Sequence, residues 1–238
     1  MALPVMTELF MHKQFREIKP QTIQQLLYMP CRGMMFVTSL YFSFKGTISH
    51  MTTPVEFRKN VMQALDILNT KLPKNSHVVL MGLVNADFIY DNMANKLHPI
   101  GLLNKNVRYR DMYNWFNCLQ IGPCTGWLNS NKTLRKVTTL RANELTDVLK
   151  DIARNEKFEF FKLHFIGNPI NFVMEQNKIN VPDLLEAVDS LHPNQKAQPI
   201  LADVVWTSLA NNLPMEVLGP INRNNKLIKT LFEDQGGH

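Results

Sequence analysis

The segment that most constrains the fold is a nearly continuous apolar run at residues 77–84, His-Val-Val-Leu-Met-Gly-Leu-Val. A strand that is apolar at successive positions meets hydrophobic neighbours on both faces of its sheet, which is typical of parallel sheets covered by helices. Pro73-Lys74-Asn75-Ser76 comes just before the run and would end a preceding helix. We therefore predict a central parallel strand here, with functional groups placed just beyond its carboxyl end.

Helical and strand patterns alternate around this central strand. Residues 54–72 carry Val61, Leu65 and Leu68 at the spacing of a helix with one buried face. Residues 133–152 show the same periodicity, residues 158–166 indicate the next strand, and residues 195–209 indicate a closing helix. Residues 181–188 form the approach to a polar loop, and residues 85–127 indicate irregular structure or short helices. This order predicts an α/β layer architecture.

A second apolar run covers residues 34–44, Met-Met-Phe-Val-Thr-Ser-Leu-Tyr-Phe-Ser-Phe. It is about half the length that a membrane span requires, so we expect no transmembrane segment there. Its aromatic and β-branched residues favour a buried strand, and a frayed, non-native segment is the alternative.

Composition limits the classes of partner. In a chain of 238 residues, 26 Lys and Arg against 20 Asp and Glu give a net charge of +6 without a long basic run. This charge favours anionic surfaces such as phosphorylated lipids, but it also fits an ordinary solvated surface. No concentrated basic stripe or recognition motif supports a nucleic-acid module. The amino terminus lacks the charged-then-apolar order of a secretory signal.

The cysteines leave two interpretations open. Cys118 and Cys124 lie on either side of Gly122-Pro123, so they form either a local disulfide or two reduced thiols. Asn131-Lys132-Thr133 is an acceptor triplet for glycosylation and would agree with an oxidising compartment. The sequence assigns no partner to Cys31. Neither the cysteine spacing nor the scattered histidines form a paired-ligand pattern, so we expect no metal site.

The polar loop contains Asp189-Ser190-Leu191-His192, followed by Pro193-Asn194. An aspartate three residues before a histidine can hold one ring nitrogen and leave the other free as a general base for a serine nucleophile. The alternative for so short a motif is a loop aspartate that caps a helix beside a surface histidine. A serine in a recognisable nucleophile motif does not occur upstream.

Several longer segments make the chain similar to a known family. The sequence resembles the acyloxyacyl hydrolases of the GDSL (SGNH) esterase superfamily, which remove secondary fatty acyl chains from the lipid A of bacterial lipopolysaccharide. The resemblance covers most of residues 51–238, and residues 1–50 show no match. The segments that carry it are Met51-Thr52-Thr53-Pro54, residues 73–83, residues 98–105, Asn117-Cys118-Leu119-Gln120 with Pro123-Cys124, residues 130–135, residues 188–194 and Asp234-Gln235-Gly236-Gly237-His238.

The resemblance implies a three-layer α/β/α parallel sheet and a role for each residue of the polar loop. His192 would act as general base and then as acid, Asp189 would fix its tautomer, and Ser190 would not be the nucleophile. In the family the nucleophile belongs to a Gly-Asp-Ser motif, and a Gly-x-Asn-Asp type motif helps to complete the oxyanion hole. We find neither motif here, and Ser39, Ser43 and Ser49 lack the Gly-Asp context.

The missing motifs define the functional hypotheses. The first is a truncated acyloxyacyl hydrolase that lacks the N-terminal strands of its sheet and needs no cofactor. The second is a non-catalytic lipid-binding remnant or decoy. A sheet without its early strands would expose an apolar edge and aggregate, unless residues 34–44 supply a substitute strand. The resemblance places the family in secreted or endolysosomal and granule compartments, with lipopolysaccharide or a related acylated lipid as the partner.

Overall fold

The computed structural model describes residues 25–29, 34–38, 51–119, 121, 124–175, 180–213 and 230. These residues contain four strands and six α-helices. The strands are β1 (Gln25–Met29), β2 (Met34–Thr38), β3 (Ser76–Met81) and β4 (Phe161–Ile166). The helices are α1 (Pro54–Lys71), α2 (Asp87–Met93), α3 (Tyr109–Leu119), α4 (Lys132–Asn155), α5 (Pro169–Glu175) and α6 (Ala197–Asn212). Short 3-10 helices span Pro99–Gly101 and Val181–Leu184.

The described strands form one sheet in the order β1-β2-β3-β4. β2, β3 and β4 are parallel, and β1 pairs with β2 in the antiparallel direction. The central strand predicted from the apolar run is β3, whose Val78, Val79 and Leu80 are fully buried. β2 lies beside it, so the predicted loss of N-terminal strands does not leave that edge of β3 unpaired. Residues 39–44 of the apolar run lie outside the described residues.

Helices cover both faces of the sheet, which confirms the predicted α/β class. On one face, α1 contributes Phe57, Val61, Leu65 and Leu68 and α4 contributes Leu145, Leu149 and Ile152 to a core over Val78 and Leu80. On the other face, Leu209 of α6 packs on Val79 and Ile166. α1 begins at a capping box in which Thr53 and Glu56 exchange hydrogen bonds, followed by a proline at the first helical position.

A second apolar cluster lies beyond the carboxyl end of β3. The stretch predicted as irregular structure or short helices contains α2 and α3, and these helices pack Ile89, Met93, Tyr109 and Tyr113 together with Trp127. Leu185, in the approach to the polar loop, joins the same cluster. The polar loop is therefore packed against this second apolar cluster.

Arg135 ties α4 to α2 through a buried guanidinium group. Its side chain is 3% exposed, and its Nη2 and Nε donate to the carboxylates of Asp91 and Asp87 over 2.8 and 3.3 Å. Nη1 donates to the carbonyl oxygen of Asn129 over 2.9 Å, and the guanidinium lies over the ring of Tyr90. Replacing it leaves the partly buried carbonyl oxygen of Asn129 without its donor and removes the ion-pair partner of Asp87 and Asp91.

We expect Arg135→Met to lower the free energy of unfolding by about 3 kcal/mol in chemical denaturation. The matched control is Arg58→Met, because Arg58 pairs with Asp151 and Glu156 at the surface and is 37% exposed. Its loss should cost less than about 1 kcal/mol. Equal costs for the two variants would contradict this account of Arg135.

His77 and His164 form a second polar contact, on neighbouring strands β3 and β4. Nδ1 of His77 lies 2.9 Å from Nε2 of His164, and the two rings stack. Burial lowers the pKa of both side chains, and positive charge on Lys162 lowers it further. For His164, whose other neighbour is His77, the pKa falls to about 4.

The depressed pKa values predict acid lability. Between a pH of about 6.5 and about 4 the unfolded chain binds more protons at His164 than the folded chain does. The free energy of unfolding therefore falls as the pH drops through this window. We expect the melting temperature of a His77→Gln/His164→Gln variant to decline less steeply across it than that of the unmodified chain. Parallel declines would show that the histidine pair does not cause the acid lability.

Candidate active site

The polar loop after the 3-10 helix Val181–Leu184 is closed on itself by backbone pairing. Leu185 and Pro193 form an isolated antiparallel bridge. The N–H of Glu186 donates to the carbonyl oxygen of His192 over 2.8 Å, and the N–H of Ser190 donates to the carbonyl oxygen of Glu186 over 2.8 Å. Asp189 and His192 therefore project from a compact turn.

Asp189 holds His192 in one orientation. Oδ2 of Asp189 lies 2.7 Å from Nδ1 of His192, while Oδ1 accepts the backbone N–H groups of Leu191 at 2.8 Å and His192 at 3.0 Å. Partial burial raises the pKa of Asp189, but these hydrogen bonds, with that from Leu191 the largest, lower the pKa below its ordinary value. An ionised carboxylate at this distance favours the tautomer that carries its proton on Nδ1.

The second ring nitrogen of His192 is available for chemistry. The side chain is 67% exposed, and Nε2 makes no hydrogen bond to the residues that the structure describes. A neutral imidazole with Nδ1 protonated presents a lone pair at Nε2, which is the acceptor a general base needs.

Ser190 lies between the pair but faces the interior. Its backbone has a φ of 54°, in the left-handed region, and its side chain is completely buried. The hydroxyl donates to the carbonyl oxygen of Asp189 over 2.6 Å and bonds to the hydroxyl of Tyr113. The first contact lies within the turn and the second binds the turn to α3. A buried hydroxyl with these partners fits the expectation that Ser190 is not the nucleophile.

Two further side chains hold the approach to the turn. His98 Nδ1 accepts the N–H of Ile100 over 3.2 Å, which leaves Nε2 to donate to the carbonyl oxygen of Val188 over 2.8 Å. The hydroxyl of Tyr109 donates to the carbonyl oxygen of Ala187. Sequence reasoning missed the tyrosines, although the spacing Tyr109-x-x-x-Tyr113 places them on one face of a helix and was the available signal.

Asn194 fixes the exit of the turn. Its Nδ2 donates to the carbonyl oxygens of Asp183 at 2.9 Å and Leu185 at 3.1 Å. Its Oδ1 accepts the N–H groups of Lys196 and Ala197 at the start of α6. This residue therefore links the turn to the helix that covers one face of the sheet.

An apolar cavity of about 380 Å³ opens beside His192. It lies at the carboxyl ends of β3 and β4, where Gly82 and Asn168 form part of its wall. Its remaining lining is mainly aliphatic, and includes Leu83, Ile89, Val173, Met174, Leu191 and Leu201. A concave apolar site with a few polar groups at its rim is the usual form of a small-molecule or acyl-chain site.

Three asparagines fix the strand ends that form this cavity. Asn168 Nδ2 donates to the carbonyl oxygen of Gly82 over 3.0 Å, and Asn171 Nδ2 donates to that of Leu83 over 3.1 Å. The N–H of Asn85 donates to Oδ1 of Asn171 over 2.7 Å. These bonds join the segments that follow β3 and β4, and no sequence motif had singled out Asn168 or Asn171.

The other predicted site residues are two cysteines and Asn131, and among them Cys124 lines the cavity. Cys118 is an exposed free thiol on α3, whereas Cys124 is a buried free thiol at the cavity wall, where burial raises its pKa to about 12. The structure thus contains no bond between these two sulfurs, because one side chain faces solvent and the other faces the core. Asn131 is exposed and caps α4 through its side-chain oxygen, and its glycosylation stays a prediction.

The described part of the chain offers neither a cluster of metal-ligating side chains nor a helix that could span a membrane. No group of three or more His, Cys, Asp or Glu side chains there could hold a metal ion. None of the described helices is long and apolar enough to cross a membrane.

Comparison with known proteins places this geometry in a family. The model of the GDSL-like lipase/acylhydrolase family matches residues 13–205, including residues 13–50, for which the motifs gave no assignment. The acyloxyacyl hydrolase of Homo sapiens is 44% identical over 191 residues, which cover 79% of this chain and 33% of that protein.

A second relative gives the same result. The acyloxyacyl hydrolase of Mus musculus is 43% identical over 195 residues, which cover 81% of this chain and 34% of that protein. The chain therefore spans about a third of the length of the curated relatives it matches. Because the family model covers more than half of the sequence, this chain belongs to the GDSL-like lipase/acylhydrolase family.

Proposed function

We propose that this chain carries the acid–base part of an acyloxyacyl hydrolase active site, which releases ester-linked secondary acyl chains from the lipid A of lipopolysaccharide. The observation that carries the proposal is the 2.7 Å contact between Asp189 and Nδ1 of His192, with Nε2 free at the rim of an apolar cavity. The similarity to acyloxyacyl hydrolases supports the choice of substrate.

In the proposed reaction, Nε2 of His192 removes the proton of a serine hydroxyl as the serine oxygen attacks the ester carbonyl carbon. Asp189 stabilises the imidazolium that forms. The imidazolium then gives its proton to the departing alkoxide oxygen of the lipid as the carbon–oxygen bond breaks, which leaves an acyl-serine. Water, activated by His192 in the same way, hydrolyses this acyl-serine and releases the fatty acid.

The serine nucleophile of this reaction has no identified counterpart in the chain. The Gly-Asp-Ser motif of the family does not occur in residues 1–238, so the proposal assigns the serine to a longer natural product that contains this chain. Ser39, Ser43 and Ser49 lie outside the described residues. Sequencing the full-length transcript across the region that encodes Met1 to Met51 tests this assignment directly.

The cavity supports an acyl substrate, because its aliphatic lining removes the chain from water. Transfer of each methylene group into such a site contributes about 0.8 kcal/mol. His192 and Pro193 lie at its rim, so an acyl chain in the cavity would bring its ester carbonyl close to Nε2.

The catalytic roles predict the effect of two substitutions in the longer product that carries a Gly-Asp-Ser block. His192→Ala should lower kcat for fatty acid release by about 10⁴-fold or more, and Asp189→Asn by roughly 10⁴-fold, because the base is lost or held in the wrong tautomer. Lys196→Gln, an exposed change nearby, should leave kcat unchanged. Normal activity without His192 would refute the assignment.

Tyr113 should act as a positioning residue. Tyr113→Phe removes the hydroxyl that contacts Ser190, so the turn loosens and His192 is held less firmly. We expect kcat to fall by about 10-fold with little change in KM, because the substrate cavity is retained. A change in KM alone would show that Tyr113 affects binding rather than the position of the base.

A non-catalytic lipid-binding role is the second candidate. The observations that favour it are the net charge of +6 and an apolar cavity in a chain without the Gly-Asp-Ser motif. The test is to incubate the 238-residue chain with lipopolysaccharide and to measure binding and fatty acid release together. Binding without release supports this candidate, and absence of binding removes it.

A further inference from the structure

The loop at residues 99–106, which we name the docking loop, is held rigidly on its own base. Leu97 and Arg108 form an antiparallel bridge, and the N–H of His98 donates to the carbonyl oxygen of Val107 over 3.0 Å. Inside the loop, Gly101 packs so closely that an added Cβ would lie 2.4 Å from the carbonyl oxygen of Val107. The loop therefore presents its remaining side chains from a fixed backbone.

The docking loop exposes three large aliphatic side chains. Ile100 is 78% exposed, Leu102 is 60% exposed and Leu103 is 91% exposed. Single exposed hydrophobic residues are common, but a contiguous apolar projection marks a surface that meets another phase or another molecule.

The charged side chains of the docking loop and its base are cationic, and Asp111, just after them, pairs with Arg110 at 3.8 Å. Residues 92–110 contain Lys96, Lys105, Arg108 and Arg110 and no aspartate or glutamate. Arg108 and Arg110 contact Asn95 at the base of the loop. Lys96 and Lys105 form no ion pair within the described part of the chain. An apolar tip between cationic side chains complements a surface with an apolar interior and anionic headgroups.

The base of the docking loop touches the catalytic turn. His98, the residue before the loop, donates to the carbonyl oxygen of Val188. Val188 immediately precedes Asp189 and is itself 69% exposed. A surface that received the tip of the docking loop would therefore lie beside the Asp189–His192 pair.

We propose that the docking loop is the site at which this protein binds an anionic lipid surface, with Leu102 and Leu103 inserted among the acyl chains and Lys96 and Lys105 beside the phosphates. The proposal rests on the proposed function, since it supplies the route by which an ester within a lipid assembly reaches His192. A protein partner fits the composition less well, because protein interfaces are depleted in lysine and enriched in aromatic residues.

The experiment measures sedimentation of the 238-residue chain with vesicles of phosphatidylcholine, with and without phosphatidylglycerol, at low and high salt. Leu102→Ser/Leu103→Ser should weaken binding by about 10-fold or more at both salt concentrations, because two apolar insertions are lost. Lys96→Gln/Lys105→Gln should weaken binding by about 10-fold at low salt and little at high salt, because salt screens the attraction.

The matched control is Leu140→Ser, since Leu140 is an exposed leucine (61%) on α4, outside the docking loop. It should bind vesicles as the unmodified chain does, and all variants should keep the original melting temperature. Unchanged vesicle binding by Leu102→Ser/Leu103→Ser would overturn the proposal and would leave the exposed tip to a protein partner. Equal binding to neutral and anionic vesicles would overturn the proposed attraction between Lys96 and Lys105 and the anionic headgroups.

Hydrolysis of a water-soluble short-chain ester by the longer product separates this proposal from the proposed function. Vesicle binding that depends on the leucines, in a protein that hydrolyses no ester, supports the docking loop and contradicts the proposed function. Ester hydrolysis that depends on His192, with vesicle binding that does not depend on the leucines, contradicts the docking loop alone.

Discussion

The carboxylate of Asp189 is the interaction on which the rest of the site depends. One oxygen binds the imidazole of His192 and the other accepts two backbone N–H groups of the same turn. The same carboxylate therefore both fixes the backbone of the turn and selects the tautomer of His192. Because its pKa lies below the ordinary value, it stays ionised under mildly acidic conditions, where a neutral carboxyl would lose both effects.

The fold supports that turn from several sides. Tyr109 and Tyr113 of α3 reach Ala187 and Ser190, and Asn194 anchors the exit of the turn to α6. The asparagines that follow β4 hold the segment after β3, so the cavity wall and the turn belong to one connected framework. The sheet thus places an apolar cavity and the Asp189–His192 pair next to each other, as expected of a site at the carboxyl ends of parallel strands.

Much of this arrangement follows from the sequence, but the contacts that hold it do not. The apolar run of β3 and the periodicity of α1 and α4 predict their elements, because burial on two faces or on one face leaves a distinct pattern. The Asp-x-x-His spacing predicts the dyad because both side chains come from one turn. Contacts of Tyr113, Asn168 and Arg135 join residues far apart in sequence, and no local pattern encodes them. The separation of Cys118 from Cys124 likewise depends on how α3 packs.

The most direct test of the central claim is nitrogen-15 NMR of the His192 imidazole in the folded chain. For the neutral form of the ring, the contact with Asp189 predicts that the proton lies on Nδ1 and that Nε2 is unprotonated, and that Asp189→Asn removes this preference. A ring protonated at Nε2, or one whose tautomers are unaffected by Asp189→Asn, would contradict the claim that Asp189 prepares His192 as a general base.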